Sequence, residues 1–441
     1  MKIQPFNHLK KTSHSFGFFQ YKGSGLTVAL VLGIGVGFAE SKGQGISLSD
    51  AVSSMIDEFP RIKSDNAEVG IRENEIDSIR SERRPQLGLS LRGGEERFRK
   101  GASDFALAKM GAYSLEASQL LFDGGSTKSR IAEAQANRLR GKIDLETTRQ
   151  NLALELSQTF IDVLKYRALI GFSEESVRIH QTALDKTSHK FSAGAGPKAD
   201  VELVTARLAM AQATLEARHR QLAQATTAYQ KFTGEFPGEL IEPEFPEWAL
   251  PISFDEVDLA RNPLVQSARA RMDANRARLD VAKSAFSPQF SLFLQGDSVD
   301  SARTLDPTED ASALVVMSYD IFGGGRRRAE LRKTQLIVDQ SSYDLEDTET
   351  EVRERFLNAW NDFVIAEERL YQLKSYRDSM TSVVSAYQRQ FELGQRALIN
   401  VLDVENELFS AKSSVEEERY NRLQAAYRTL SAIGSLLAAI Q

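Results

Sequence analysis

FELGQRALINV, the stretch from Phe391 to Val401, decides how this chain is organised, because an earlier copy, FSAGAGPKADV, runs from Phe191 to Val201. Each copy joins the end of one long helical pattern to the start of another, and each therefore predicts the tip of a helical hairpin. Gly194 and Gly394 fall where a helix needs a left-handed C-terminal cap, a conformation that glycine adopts without steric cost.

The two copies lie 200 positions apart, and the same offset continues well beyond them. LFDGG at 121–125 aligns with IFGGG at 321–325, and Gly234 aligns with Gly434. Upstream of the aligned strands the offset becomes 203, because the two intervening loops differ by three residues. The chain is therefore predicted to be an internal duplication of one large supersecondary unit.

Each unit reads as helices, a β-hairpin, one long helix and a shorter return helix. Alternation with period two predicts the hairpins and their polar loops, and apolar heptads predict the long helices and coiled-coil packing. The first unit covers 40–234, with a hairpin at 86–122, its loop at 93–104, a long helix at 126–191 and a return helix at 198–233. A proline-rich connector at 235–254 precedes the second unit, 255–441, with a helix at 263–286, a hairpin at 289–322, its loop at 296–311, a long helix at 326–391 and a return helix at 398–433.

The N-terminus predicts a secretory signal over residues 1–39. Lysines precede an apolar run from Leu26 to Phe38, which ends beside small residues that suit cleavage after Ala39. The run is too short to span a bilayer as a helix. The alternative, a buried core helix, is weakened by three glycines within the run.

Composition and motifs predict no enzyme, no cofactor, no metal site and no nucleic-acid partner. The net charge is −6 and no basic face stands out, which argues against nucleic acid. Cysteine is absent, so disulfides, cysteine metal sites and an N-terminal lipid anchor on cysteine are excluded. The five histidines lack metal-ligand spacing, and no nucleophile, base and orienting group occur together in a motif.

The four amphipathic strands allow two interpretations, a soluble sheet or part of a membrane barrel. Beyond the signal, no segment approaches the ~20 apolar residues of a spanning helix. Four strands cannot close a barrel, so a membrane barrel would require several chains. The arginines at 326–328 follow a strand, which suggests either contact with lipid headgroups or ordinary solvated charge.

The duplicated order of helix, hairpin, long helix, glycine tip and return helix resembles the TolC-like outer-membrane efflux proteins of Gram-negative bacteria. The Phe-x-Gly-Gly at 122–125 and 322–325 matches, as does Phe-x-x-Gly-x-x-x-x-x-[Asp/Asn]-Val at both tips. The resemblance covers nearly all of 46–436. It implies a mainly α fold with a small membrane β part, in which a homotrimer forms a 12-strand outer-membrane β-barrel and a 12-helix periplasmic tunnel.

The resemblance also assigns roles to residues at the tips. Asp403 matches an aspartate of a negatively charged ring at the constriction, and a neighbouring ring aspartate is replaced here by Asn400. Arg396 and Asp200 match residues that link adjacent coils in the closed state, a restraint broken on opening. The tip turns, with Gly194, Gly394, Phe191 and Phe391, are implied to dock an adaptor; the family often has Tyr where Phe391 stands.

Two classes of function follow from this sequence. The first is an exit duct that works with a periplasmic adaptor and an inner-membrane ABC or RND transporter. The expected system is type I protein secretion, and a multidrug efflux pump is the alternative. The second class is a periplasmic coiled-coil scaffold without a pore.

Overall fold

A computed structural model describes residues 45–99, 105–251, 253, 257–301 and 307–440, and the predicted signal at 1–39 lies outside these ranges. Two hairpins of strands alternate with helices along the chain. In order, the elements are α1 (Leu48–Glu58), α2 (Pro60–Ser81), β1 (Gln86–Phe98), β2 (Ala106–Phe122), α3 (Ser126–Ser192), α4 (Lys198–Thr233), α5 (Pro263–Ser284), β3 (Gln289–Ser301), β4 (Thr308–Ser318), α6 (Arg326–Glu392), α7 (Leu398–Ala432) and α8 (Leu436–Ile440).

The two longest helices, α3 and α6, have 67 residues each and are therefore about 100 Å long. α3 packs against α4, and α6 packs against α7, so each pair forms a helical hairpin. The glycines with positive φ occur at 124, 125, 194 and 234, and again at 324, 325, 394 and 434. Glycines that lie 200 positions apart in the sequence thus occupy equivalent helix ends in the structure.

The return helices reach only about halfway along the long helices, and α2 and α5 complete the remaining length. α2 and α5 have 22 residues each and begin with proline at the first position, where its missing N–H costs no helical hydrogen bond. α2 packs on α3, whereas α5 packs on both α3 and α6.

The main apolar core lies around the middle of α3, where the return helices end. Leu156, Phe160 and Val163 of α3 are fully buried there, together with Tyr229 near the end of α4 and Leu430 near the end of α7. The amphipathic α1 and the short α8 cover the same core. This cluster ties the two repeats together, because it takes side chains from both.

The strands form one antiparallel sheet in the order β1-β2-β3-β4. In the register, Leu87 lies opposite Ala117, and Ala117 lies opposite Leu294 on its other side. Residues directly opposite share a face, so the apolar positions of the strands form a continuous outward surface. Leu87 and Leu91 on this surface are each 74% exposed.

The strands are longer than predicted, and the predicted polar loops at 93–104 and 296–311 are wrong where the strands extend into them, at 93–98, 296–301 and 308–311. Gly93 and Gly94 pair with Gly111 and Met110, and 296–299 pair with 308–311. Polar and glycine residues continue the ladder because backbone hydrogen bonds do not depend on apolar side chains.

Two other predicted ends also require correction. α5 ends at Ser284 and not at Phe286, because Ser287 precedes Pro288 and a residue before proline avoids the helical conformation. β4 ends at Ser318, four residues before the predicted end at 322. Its partner β3 begins at Gln289, directly after Pro288, which has no N–H to donate.

Candidate functional site

The two tips, residues 191–201 and 391–401, have the same backbone conformation. Gly194 and Gly394 both adopt φ +71°. At the first tip, the N–H groups of Gly194 and Ala195 donate to the carbonyls of Phe191 and Lys190 at 2.9 and 2.8 Å. The second tip repeats both bonds at 2.9 Å. These paired bonds are a Schellman motif, which satisfies the last carbonyls of each long helix before the chain reverses.

The side chains of the two tips are less alike than their backbones. Phe191 is 45% exposed, whereas Phe391 is half-buried with the Lys190 ammonium 5.4 Å from its ring centroid. Between the tips lies a cleft of about 190 Å³ whose lining includes Phe391, Asp200 and Arg396. Phe391, predicted for docking, and the predicted restraint residues therefore line one cleft, at the end of the helical bundle remote from the sheet.

Within the single chain, Arg396 and Asp200 line this cleft but form no ion pair with each other. The Arg396 guanidinium lies 3.6 Å from the ring centroid of Tyr387, and its Nε donates to Gln390 Oε1 at 2.7 Å. Arg396 is thus held against its own helical hairpin, and Asp200 is exposed on α4. A link between adjacent coils through these two residues stays a prediction for the contact between copies.

Asp403, predicted to belong to an acidic ring, has an ion-pair partner that the sequence did not reveal. Arg207 Nη2 of α4 donates to Asp403 Oδ1 of α7 at 2.6 Å. The Arg207 side chain is 26% exposed and that of Asp403 is 56% exposed. Asn400 is exposed one turn before Asp403. The pair joins the return helices of the two repeats, and it leaves no net charge at this position of one chain.

The Arg207–Asp403 pair forms one side of a polar cavity of about 370 Å³ between α3, α4 and α7. His180 of α3 lines the same cavity, is 4% exposed, and has its Nδ1 2.8 Å from the Ser176 carbonyl oxygen. Asn406 adds a further polar side chain. Apolar side chains at these positions would pack closely against one another. The polar side chains found here instead leave the bundle loosely packed just behind the tips.

The two strand-to-helix junctions lie at the opposite end of the long helices, and only the first has a side-chain cap at the start of its helix. Asp123 is 3% exposed, and its carboxylate accepts from the N–H groups of Gly125 and Thr127 at 3.0 and 2.5 Å. Burial raises the pKa of Asp123, but these bonds and the hydroxyl of Thr127 outweigh it and hold the pKa below its usual value. The second junction has Gly323 at the equivalent position, so α6 begins without such a side-chain cap.

None of the described helices combines the length and the apolar character that crossing a bilayer requires. In the same residues, no three His, Cys, Asp or Glu side chains are grouped in a way that could hold a metal ion.

The sequence matches the family model described as "Outer membrane efflux protein" over residues 51–235 and 257–435. The outer membrane efflux protein BepC of Brucella suis biovar 1 is 23% identical over 385 residues, which cover 86% of this chain and 83% of that protein. The outer membrane protein TolC of Escherichia coli K12 is 22% identical, with 86% and 80% covered. The alkaline protease secretion protein AprF of Pseudomonas aeruginosa is 23% identical, with 71% and 67% covered.

Solved structures agree on the fold. The CmeC outer membrane channel of Campylobacter jejuni superposes with a TM-score of 0.78 at 14% identity, covering 88% of this chain and 86% of that one. A structure of CusC gives a TM-score of 0.76 at 18% identity, covering 89% and 95%. The predicted fold class, the resemblance to TolC-like proteins and the outer-membrane location are confirmed. This chain belongs to the outer membrane efflux protein family and is an efflux channel of the outer membrane.

Proposed function

We propose that three copies of this chain form a passive exit duct, gated at its helical tips, for a type I protein secretion system. The observation that carries this proposal is the four-stranded sheet, whose outer strands β1 and β4 have free edges within the described chain. Strands in lipid cannot leave backbone groups unpaired, and single-chain barrels begin at about eight strands. A trimer would pair β4 of one copy with β1 of the next and close twelve strands.

The gate in this proposal lies at the tips, where the chain narrows to two helical hairpins. Asp403 and Asn400 line the constriction, and the ion pair from Arg207 to Asp403 restrains α4 against α7. Arg396 of one copy faces Asp200 of the next in the closed state. The closed state thus depends on a few polar contacts, which are individually weak and can be exchanged during opening.

The proposed partners dock at the same end. The exposed tip turns present the backbone at Gly194 and Gly394 and the ring of Phe191 to a periplasmic adaptor. This adaptor connects the duct to an inner-membrane ABC transporter. The transporter supplies the energy, and the chain has no catalytic role and needs no cofactor.

The cargo is proposed from relatives. AprF is named for alkaline protease secretion, which supports protein cargo. A second candidate is the outer-membrane channel of a multidrug pump of the RND or ABC type. It is supported by BepC, named an efflux protein, and by SrpC of Pseudomonas putida, named for a solvent efflux pump, which is 23% identical over 61% of this chain.

Deletion of the gene in its own bacterium separates the two candidates. Type I secretion predicts that a secreted protein disappears from the culture medium while sensitivity to dyes and detergents is unchanged, and that the intact gene restores secretion. A multidrug channel predicts the reverse pattern. A normal medium and normal sensitivity, together with no current from the purified protein in a planar bilayer, would contradict both candidates.

A further inference from the structure

Three consecutive arginines at the start of α6 have different environments, although they share one short segment. The Arg327 guanidinium lies 5.3 Å from the ring centroid of Phe286 and 5.9 Å from that of Tyr319, and its Nη1 donates to the Ala285 carbonyl at 3.2 Å. Its Nε is 3.9 Å from the Asp320 carboxylate, and the side chain is only 16% exposed. Arg327 therefore ties α6 to the end of α5.

Arg326 and Arg328 are both exposed, and neither guanidinium has a hydrogen-bond or ion-pair partner in the described part of the chain. They flank the fixed Arg327, so the backbone at their positions is held in place. An arginine fork with all donors free is suited to bind a carboxylate or phosphate through two parallel hydrogen bonds.

The internal duplication indicates what is missing at this junction. In the first repeat the buried Asp123 carboxylate occupies the start of α3, and Ser126 and Lys128 stand at the positions of the two exposed arginines. In the second repeat Gly323 stands at the position of Asp123, Arg326 replaces a serine, and Arg328 replaces a lysine. The first junction thus carries a carboxylate that caps its helix, whereas the second has no such cap, has arginine in place of Ser126 and Thr127, and keeps the Asp320 carboxylate 3.9 Å from Arg327.

Beside these arginines lie two strongly exposed apolar side chains. Ile321 is 84% exposed and Phe322 is 86% exposed. Odd-numbered residues on β4 form its outward apolar row, including Val315 and Met317, and beyond the strand Tyr319 and Ile321 continue the same alternation. The apolar surface that faces lipid thus continues to within one turn of the free arginines.

We propose that Arg326 and Arg328 bind the phosphate of an anionic phospholipid headgroup in the periplasmic leaflet of the outer membrane, while Ile321 and Phe322 contact its acyl chains. Aromatic side chains near the bilayer surface and arginines just outside it are the arrangement expected for a headgroup contact. The continuity with the lipid-facing strand favours a membrane lipid over a soluble anion. The proposal requires insertion into the membrane but does not depend on the cargo.

The test uses the full-length protein in bilayers, with Tyr319→Trp as a reporter of the neighbouring lipid. Brominated phosphatidylglycerol and brominated phosphatidylcholine are compared as quenchers of its fluorescence. The two native tryptophans are Trp248, in the connector after α4, and Trp360, about 51 Å along α6 from Arg326; both are present in every variant and add a constant background. We expect a preference for phosphatidylglycerol of about fivefold for each arginine that contacts the phosphate.

The reporter protein with Arg326→Gln and Arg328→Gln should bind both lipids equally. The pair Arg326→Lys and Arg328→Lys should retain part of the preference, because charge is kept while the planar fork is lost. Arg220→Gln with Lys374→Gln removes two exposed charges from α4 and from the C-terminal half of α6, and it should keep the full preference. An oligomer that survives on an unheated gel checks the fold of each variant.

Three results would overturn the proposal. The first is equal quenching by the two lipids in the reporter protein. The second is an unchanged preference in the glutamine variant or, if that variant does not fold, in the lysine variant. The third is loss of the preference when inorganic phosphate is added at constant ionic strength, which would assign the arginines to a free anion.

Discussion

Arg207→Gln should make the channel both easier to open and more selective for cations. The substitution removes the guanidinium that binds Asp403 at 2.6 Å, and with it a direct link between α4 and α7. Asp403 keeps its negative charge but loses the positive charge that balances it. Its carboxylate, already 56% exposed, then acts on permeating ions without an internal counter-ion.

The size of the effect follows from the exposure of the pair. Partly exposed ion pairs contribute about 0.2–1 kcal/mol, because solvent screens them and ordering two side chains costs entropy. A loss of that size in the closed state shifts the opening equilibrium by up to about fivefold for each chain. The gain in cation selectivity should decrease as salt is raised, since a charge about 10 Å away is largely screened at 0.1 M.

Single-channel recordings in planar bilayers measure both quantities, as open probability and as reversal potential in a salt gradient. Lys198→Gln is the matched control, because it removes one positive charge near the same tips. Its partner Glu202 lies on its own helix, and both side chains are well exposed. Asp403→Asn should shift selectivity towards anions, and the double variant with Arg207→Gln should return close to the original selectivity.

The reasoning is refuted if Arg207→Gln and Lys198→Gln give the same small change. It is also refuted if the effects of Arg207→Gln and Asp403→Asn on the open probability simply add in the double variant, because either substitution alone already removes the ion pair.

Further predictions concern the two ends of the long helices. Asp123→Ala should lower the free energy of unfolding by about 1–2 kcal/mol through loss of the helix cap. Because the pKa of Asp123 is lowered in the folded state, its stabilisation should be full above about pH 3.9 and should decline as the pH falls through the folded pKa. The temperature at which the oligomer dissociates, compared at neutral and acidic pH, measures this effect. Gly394→Ala should destabilise the second tip by about 1–2 kcal/mol, because alanine is strained at φ +71° even though its Cβ would meet no neighbour. Gly70→Ala within α2 should be neutral or stabilising, and limited proteolysis compares the two variants. Arg396→Ala should raise conductance through loss of contacts worth about 1–2 kcal/mol, while Tyr387→Phe, which keeps the ring, should leave conductance unchanged.

Much of the fold could be predicted from this sequence because the same structural unit occurs twice in the chain. A glycine such as Gly194 is ambiguous alone, but its recurrence at Gly394 after the same heptad pattern indicates a helix end, and both adopt positive φ. The strand ends were predicted poorly for the opposite reason. Beyond Leu91 the side chains become polar or small, so alternation disappears from the sequence while the backbone ladder continues.

The site was less accessible to sequence reasoning, because its contacts join distant segments. Arg207 and Asp403 are 196 positions apart in different repeats, and no local pattern distinguishes Arg207 from a solvated helix charge. The offset of 200 offered a weak signal, since Arg207 lies close to the copy of Asp403, at position 203. The Asp123 cap could be predicted from its position just before the start of a helix, because the equivalent residue in the second repeat, Gly323, has no side chain that could cap.

The central claim, that the helical tips are the constriction of a membrane channel, can be tested with one introduced thiol. The chain has no cysteine, so Asn400→Cys provides a single reactive site beside Asp403, and Arg220→Cys provides an exposed control on α4. The measurement is single-channel current before and after addition of a bulky thiol reagent. The account predicts a strong block for Asn400→Cys and little change for Arg220→Cys. A steady current from fully modified Asn400→Cys, or no current from the folded protein at all, would contradict it.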